Sequence, residues 1–146
     1  MLVRFSRLLF TIFCCFVWTF AIPAGQVHTP VKGSAERQAI LDALRKDYPQ
    51  PHNGKLTFKV IYLRVHGGWA WLFAEPISTD PRDSFGETYG FLLHKAKGKW
   101  KVMDVPEMVE DPEDPEKLYY PNPADVREIK KKYPELPTDI FPKHGQ

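Results

Sequence analysis

Cysteine is the scarcest reactive residue in this chain: there are two, Cys14 and Cys15, and both lie in an apolar opening stretch. Without that stretch the remainder can form no disulfide and offers neither a thiol nucleophile nor a thiolate metal ligand. Excess charge is scarce as well. Lys and Arg number 20 against 18 acids, a formal net charge of +2, and Arg4 and Arg7 account for all of it. From residue 22 onward the chain is formally neutral and lacks the basic surplus that a nucleic-acid partner calls for. There is no phosphate loop or dinucleotide fingerprint. Neither Ser78 nor Ser84 has the flanking glycines of a nucleophile elbow.

What is present begins with export. Arg4 and Arg7 precede a run from Leu8 to Ile22 that is apolar except for Thr11 and Thr19, the charged-then-apolar order of a secretory signal peptide. A run of about 15 residues falls short of the roughly 20 that span a bilayer, so a transmembrane anchor is disfavoured. Phe13 stands where a small residue would precede a lipidated cysteine at position 14, which argues against a lipoprotein. Residues 1–21 are expected to be removed after Ala21, with Ala24 as a second site. The product would be periplasmic or secreted, with no stable membrane insertion.

About 125 residues remain, enough for one domain with a single core. Residues 22–33, with Pro30 and Gly33, read as a flexible lead-in to a domain over 34–146. Ser34 can cap a helix whose apolar positions Ile40, Ala43, Leu44 and Tyr48 share one face, and Pro49 and Pro51 end it. Leu56 to Val65 reads as a strand. Its apolar set changes face along its length, which predicts burial on both sides near its end or a bulge. His66 to Gly68 is a turn, and Trp69 to Ala74 a second strand. Pro76 to Gly86 reads as a loop, Thr88 to Lys95 as a third strand, Ala96 to Gly98 as a turn and Lys99 to Val105 as a fourth strand.

Residues 106–122 form a proline-rich connection whose stretch Glu107 to Glu116 holds six acids. Asn122 and Pro123 then read as the cap and first position of a second helix with Val126, Ile129 and Tyr133 on one face. Pro134 ends it, and Leu136, Ile140 and Phe141 can fold the tail back. The expected class is α+β: an N-terminal helix packed on a four-stranded antiparallel meander, with a short C-terminal helix.

Candidates for chemistry are few. The histidines are His28, His52, His66, His94 and His144, and none has a local spacing to another ligand that makes a metal site. No metal or other cofactor is expected. His94 ends the third strand and Asp104 follows the fourth, so a symmetric turn would bring them within a few residues of each other as base and orienter, although no nucleophile is visible between them. The acidic run lacks the Asp-x-Asp-x-Asp-Gly calcium loop and reads as a solvated linker. Those acids are too bunched and too solvated to supply the one protonated carboxyl that glycoside hydrolysis needs.

Aromatics are the remaining clue. Alternation puts Trp69, Trp71 and Phe73 on one face, expected to be the core beneath the helix. The alternative is a concave sheet holding a ligand, with Trp71 and Tyr89 as candidate contacts beside His94.

The segments Arg37-Gln38-Ala39-Ile40-Leu41-Asp42-Ala43-Leu44-Arg45, Gly68-Trp69-Ala70, Leu92-Leu93 and Gly98-Lys99-Trp100-Lys101-Val102, with Tyr133, Pro137, Ile140 and Phe141, thread through most of the chain after residue 21. In them the chain resembles a family of small exported bacterial proteins of unknown function with a cystatin-like or NTF2-like helix-on-sheet domain. That resemblance implies the fold but carries over no catalytic residue. The connection between Pro106 and Pro123 is longer than the family's pattern.

Three functions follow as expectations. The first is a non-enzymatic binding module for a small apolar ligand or a protein. The second is a small NTF2-like enzyme using His94 and Asp104, and the third an inhibitor that presents the His66 to Gly68 hairpin to a secreted hydrolase.

Overall fold

The structure, a computed structural model, describes residues 25–83, 85, 89–106 and 120–143, with Tyr89 described by its backbone alone. The expected signal segment, His144 and the acidic run 107–116 lie outside the described residues. The architecture is α+β, with helix α1 (Ala35–Asp47), strands β1 (Leu56–His66), β2 (Trp69–Ser78), β3 (Tyr89–Ala96) and β4 (Lys99–Met103), then helix α2 (Pro123–Lys132) and a 3-10 turn (Thr138–Ile140). The sheet order β1-β2-β3-β4 is an antiparallel meander. Among the described residues no helix is long and apolar enough to cross a membrane.

Helix α1 starts where the Ser34 hydroxyl accepts from the Arg37 amide at 3.3 Å, filling one of the unpaired donors of the first turn. Glu36 lies in that turn and Arg45 and Lys46 in the last, each matching the sign of the helix dipole. Ile40 and Leu44 are fully covered against the sheet, contributing about 1.5–3 kcal/mol each. The helix lies nearest β4.

The phase change in β1 is a bulge. Val60 pairs with Ala74 and Tyr62 with Phe73, so Ile61 is the extra residue, and it is half exposed. Phe58 and Val60 before it and Leu63 and Val65 after it consequently all pack toward α1. The turns at Gly67-Gly68 and Lys97-Gly98 use positive φ at all four residues, the left-handed conformation that fits two-residue hairpins to twisted strands. His66 is the last residue of β1 rather than part of its turn.

Two expectations need correction. The loop expected from Pro76 begins later, because β2 continues to Ser78. Among the described residues, β2 past Ala74 pairs only with β1, and an edge position accommodates a proline. Trp69 and Trp71 are also not beneath α1. Ala70, Leu72 and Ala74 face that helix, with Leu93 and Trp100. Trp69, Trp71 and Leu92 face the opposite layer, where Ile129, Leu136, Ile140 and Phe141 cover them. The sheet is therefore buried on both sides.

That second layer begins at a capping box. Asn122 Oδ1 accepts from the amides of Ala124 and Asp125, and Asp125 Oδ2 accepts from the Asn122 amide. The tail is then tied down by the Tyr62 hydroxyl, which donates to the Ile140 carbonyl at 3.0 Å, and by Lys130 Nζ, which donates to the Leu136 carbonyl at 2.5 Å. At the other end of the chain, the described part of the lead-in is anchored. His28 and Val65 exchange two backbone hydrogen bonds of 2.9 and 2.8 Å, and the His28 ring meets Glu36 at 2.8 Å.

Candidate functional site

The β3–β4 register places His94 opposite Lys101. Asp104 is three residues further on, just past the end of β4 and roughly 10 Å along the chain. The two do not meet. The His94 ring stacks on Trp69 with centroids 4.1 Å apart and planes inclined by 23°, while the Asp104 carboxylate accepts from Lys132 Nζ at 2.5 Å. Trp71 is fully buried, with Phe141 against its ring at 4.9 Å. Tyr89 holds the register position opposite Ala74, and its side chain lies outside the described residues. The structure thus brings neither His94 to Asp104 nor the Trp71 ring to the surface.

A cleft of about 440 Å³ opens at the far end of the β3–β4 hairpin. Gly90, Phe91 and Leu92 of β3 line one side, and Val102 and Met103 of β4, continuing into Asp104 and Val105, line the other. Asp47, at the C-terminal end of α1, closes the rim. Helix α1 ends there because Pro49 cannot continue it. Gly90 has no freedom to be larger: a Cβ at this position would lie 2.4 Å from Trp71 Cζ2. The described lining is therefore largely apolar with two acidic residues, Asp47 and Asp104, and the volume lies within the size range of small-molecule sites. Among the described residues its lining holds no histidine, serine, lysine or tyrosine. That composition can hold a ligand.

A second polar arrangement was not legible locally. His52, in the α1–β1 loop, and Asp83, in the β2–β3 loop, meet at 2.8 Å through Nδ1 and Oδ1. Asp83 Oδ1 also accepts from the His52 amide at 3.2 Å, and Oδ2 accepts from the Ser78 hydroxyl at 2.6 Å. Ser78 in turn accepts from the Asp80 amide, and Asp80 grips Arg82 through both carboxylate oxygens. These contacts depress the Asp83 carboxyl, first through Ser78 and then through His52, and they raise the His52 imidazole through its bond to Asp83. The serine donates to the aspartate and not to the histidine, so this is no nucleophile relay. It fastens two loops together. Among the described residues no group of three or more His, Cys, Asp or Glu side chains is arranged to hold a metal ion.

Neither a family model, nor a curated protein, nor a solved structure matches this chain.

Proposed function

We propose that this is an exported, non-enzymatic binding module, delivered to the periplasm or secreted, whose cleft takes a small apolar ligand carrying a positive charge. The observation that carries the reading is the cleft itself: Phe91, Val102, Met103 and Val105 supply apolar wall, and Asp47 and Asp104 set the sign at the mouth. Lys132 neutralises part of Asp104, which leaves Asp47 as the stronger selector for a cation. An apolar body gains by leaving water, and its charged end stays near the solvent-exposed carboxylates. The charged-then-apolar start of the chain supports export.

The test compares phenethylamine, phenylethanol and phenylpropionate, which share a ring and differ in end charge. Methyl resonances of Val102, Met103 and Val105 are followed by NMR as each is added to the purified protein. The amine is expected to shift them saturably and most tightly, the alcohol less and the carboxylate least. Asp47→Asn is expected to remove the preference of amine over alcohol while leaving alcohol binding unchanged. Absence of saturable shifts at these three residues with all three compounds would sink the reading.

A further inference from the structure

We propose a second site, independent of the cleft: a pocket for a small tetrahedral oxoanion, formed by Arg64, Tyr120 and Lys143 where the C-terminal tail crosses β1. The pocket has a volume of about 90 Å³ and is lined by Tyr62, Arg64, Tyr120, Pro142 and Lys143. Among the described residues it shares none with the cleft. A volume that small admits a single compact anion and excludes a nucleotide-sized ligand.

The electrostatics point the same way. Among the described residues two cations line the pocket and no acid does. Several cations elsewhere are neutralised by carboxylates: Lys59 by Glu75, Arg82 by Asp80, Lys131 by Glu128 and Lys132 by Asp104. Arg64 and Lys143 have no acidic partner among the described residues. The acid that approaches from the tail, Asp139, is engaged by His66 at 2.7 Å.

Arg64 is also held in place. It sits in mid-strand opposite Trp71, and its guanidinium lies 5.7 Å from the centroid of the Tyr62 ring, within cation–π range. Tyr62 cannot swing away, because its hydroxyl donates to the Ile140 carbonyl. Burial, opposed by Arg64, leaves that hydroxyl harder to ionise than usual, so Tyr62 does not itself become a counter-ion. A planar guanidinium fixed on an aromatic ring presents its remaining N–H groups as a fork, the geometry suited to oxoanions. The Lys143 ammonium adds a point charge and the Tyr120 hydroxyl a third donor.

The test is a titration of the purified protein with sodium phosphate at pH 7, at an ionic strength held constant with sodium chloride. The Arg64 Nε–H and the Tyr120 ring resonances are followed by NMR. Saturable shifts at both are expected. Arg64→Gln should weaken binding at least about tenfold and Lys143→Gln about threefold, in keeping with the loss of a bidentate and a single charged contact. Lys99→Gln, which removes the same charge from β4, should leave it unchanged. Tyr120→Phe alters an exposed residue and should weaken binding without touching the fold, so the proposal stays testable if Arg64→Gln unfolds. An Arg64 resonance that ignores phosphate overturns the site. So does a Lys99→Gln variant weakened as much as Lys143→Gln, since that pattern is general screening.

Discussion

The imidazole of His52 and the carboxylate of Asp83, 31 residues apart in sequence, are joined at 2.8 Å, and this pair holds the α1–β1 loop to the β2–β3 loop. Because an ionised carboxylate only accepts, Nδ1 carries the proton and Nε2 faces solvent. The histidine side chain is 80% exposed and the aspartate 3% exposed, so the charge that water cannot reach is the one with three donors.

The first prediction is a pH window for that join. The His52 pKa is raised above its ordinary 6.5, so its contribution is complete below 6.5 and is lost as pH rises through the folded value. The Asp83 pKa is lowered from its ordinary 3.8, so its contribution is complete above 3.8 and is lost as pH falls through the folded value. The join is therefore strongest between these two ordinary values. In an NMR titration His52 should have its midpoint above that of a free histidine, and Asp83→Asn should bring it back down. Identical midpoints in the two proteins would contradict the link.

Gly90→Ala probes the contact beneath the cleft. The added Cβ would lie 2.4 Å from Trp71 Cζ2 and 2.9 Å from Cη2, rigid ring atoms in a buried core. A loss of about 1–3 kcal/mol is expected from such overpacking, read as a lower urea midpoint with an unchanged slope.

Trp71→Phe should be unusually mild. The indole Nε1 of Trp71 is buried without a hydrogen-bond partner among the described residues, which costs on the order of 1–3 kcal/mol. Phenylalanine removes that donor at the expense of a small void, so the net change is expected to stay within about 1 kcal/mol. Leu72→Ala, at a neighbouring position fully buried on the opposite face, should cost about 2–5 kcal/mol. Equal losses in the two variants, measured by urea denaturation, would mean that the indole N–H is satisfied in solution.

Asn122→Ala tests the second layer. It deletes the acceptor for two amides at the start of α2 and should cost about 1 kcal/mol. Amide hydrogen exchange should accelerate first at Val126 and Ile129, ahead of Leu93 beneath α1. Uniform acceleration across both layers would show that α2 and the sheet unfold together.

Much of this was legible because it is local. Ser34 and Asn122 announce their helices within four residues, Gly67-Gly68 and Lys97-Gly98 announce their hairpins, and the doubled apolar set of β1 announces its bulge. Alternation separates Trp69 and Trp71 from Ala70 and Leu72 but does not say which element covers which set. The run Trp69 to Ala74 has no polar residue at all, and that was the available signal that both faces are buried. The cleft and the anion pocket depend on how separate segments come together. Asp47 comes from the end of α1 to line the cleft beside β4, and Lys143 comes from the tail to line the pocket with Arg64. No short-range pattern encodes either meeting. The register arithmetic for His94 and Asp104 was sound to within three residues, yet three residues exceed the reach of a hydrogen bond.

The bulged residue has a consequence beyond phase. β1 is the long outer strand of the sheet, and an uninterrupted outer strand offers its backbone donors and acceptors to any other chain that approaches. In a protein whose formal net charge is only +2, long-range repulsion does little to keep copies apart. Ile61 is dispensable for facing: without it Val60 and Tyr62 would still point to their present sides. A bulge interrupts the regular row of donors and acceptors that a second copy would need, so a residue expendable within one molecule makes its edge a poorer template for another.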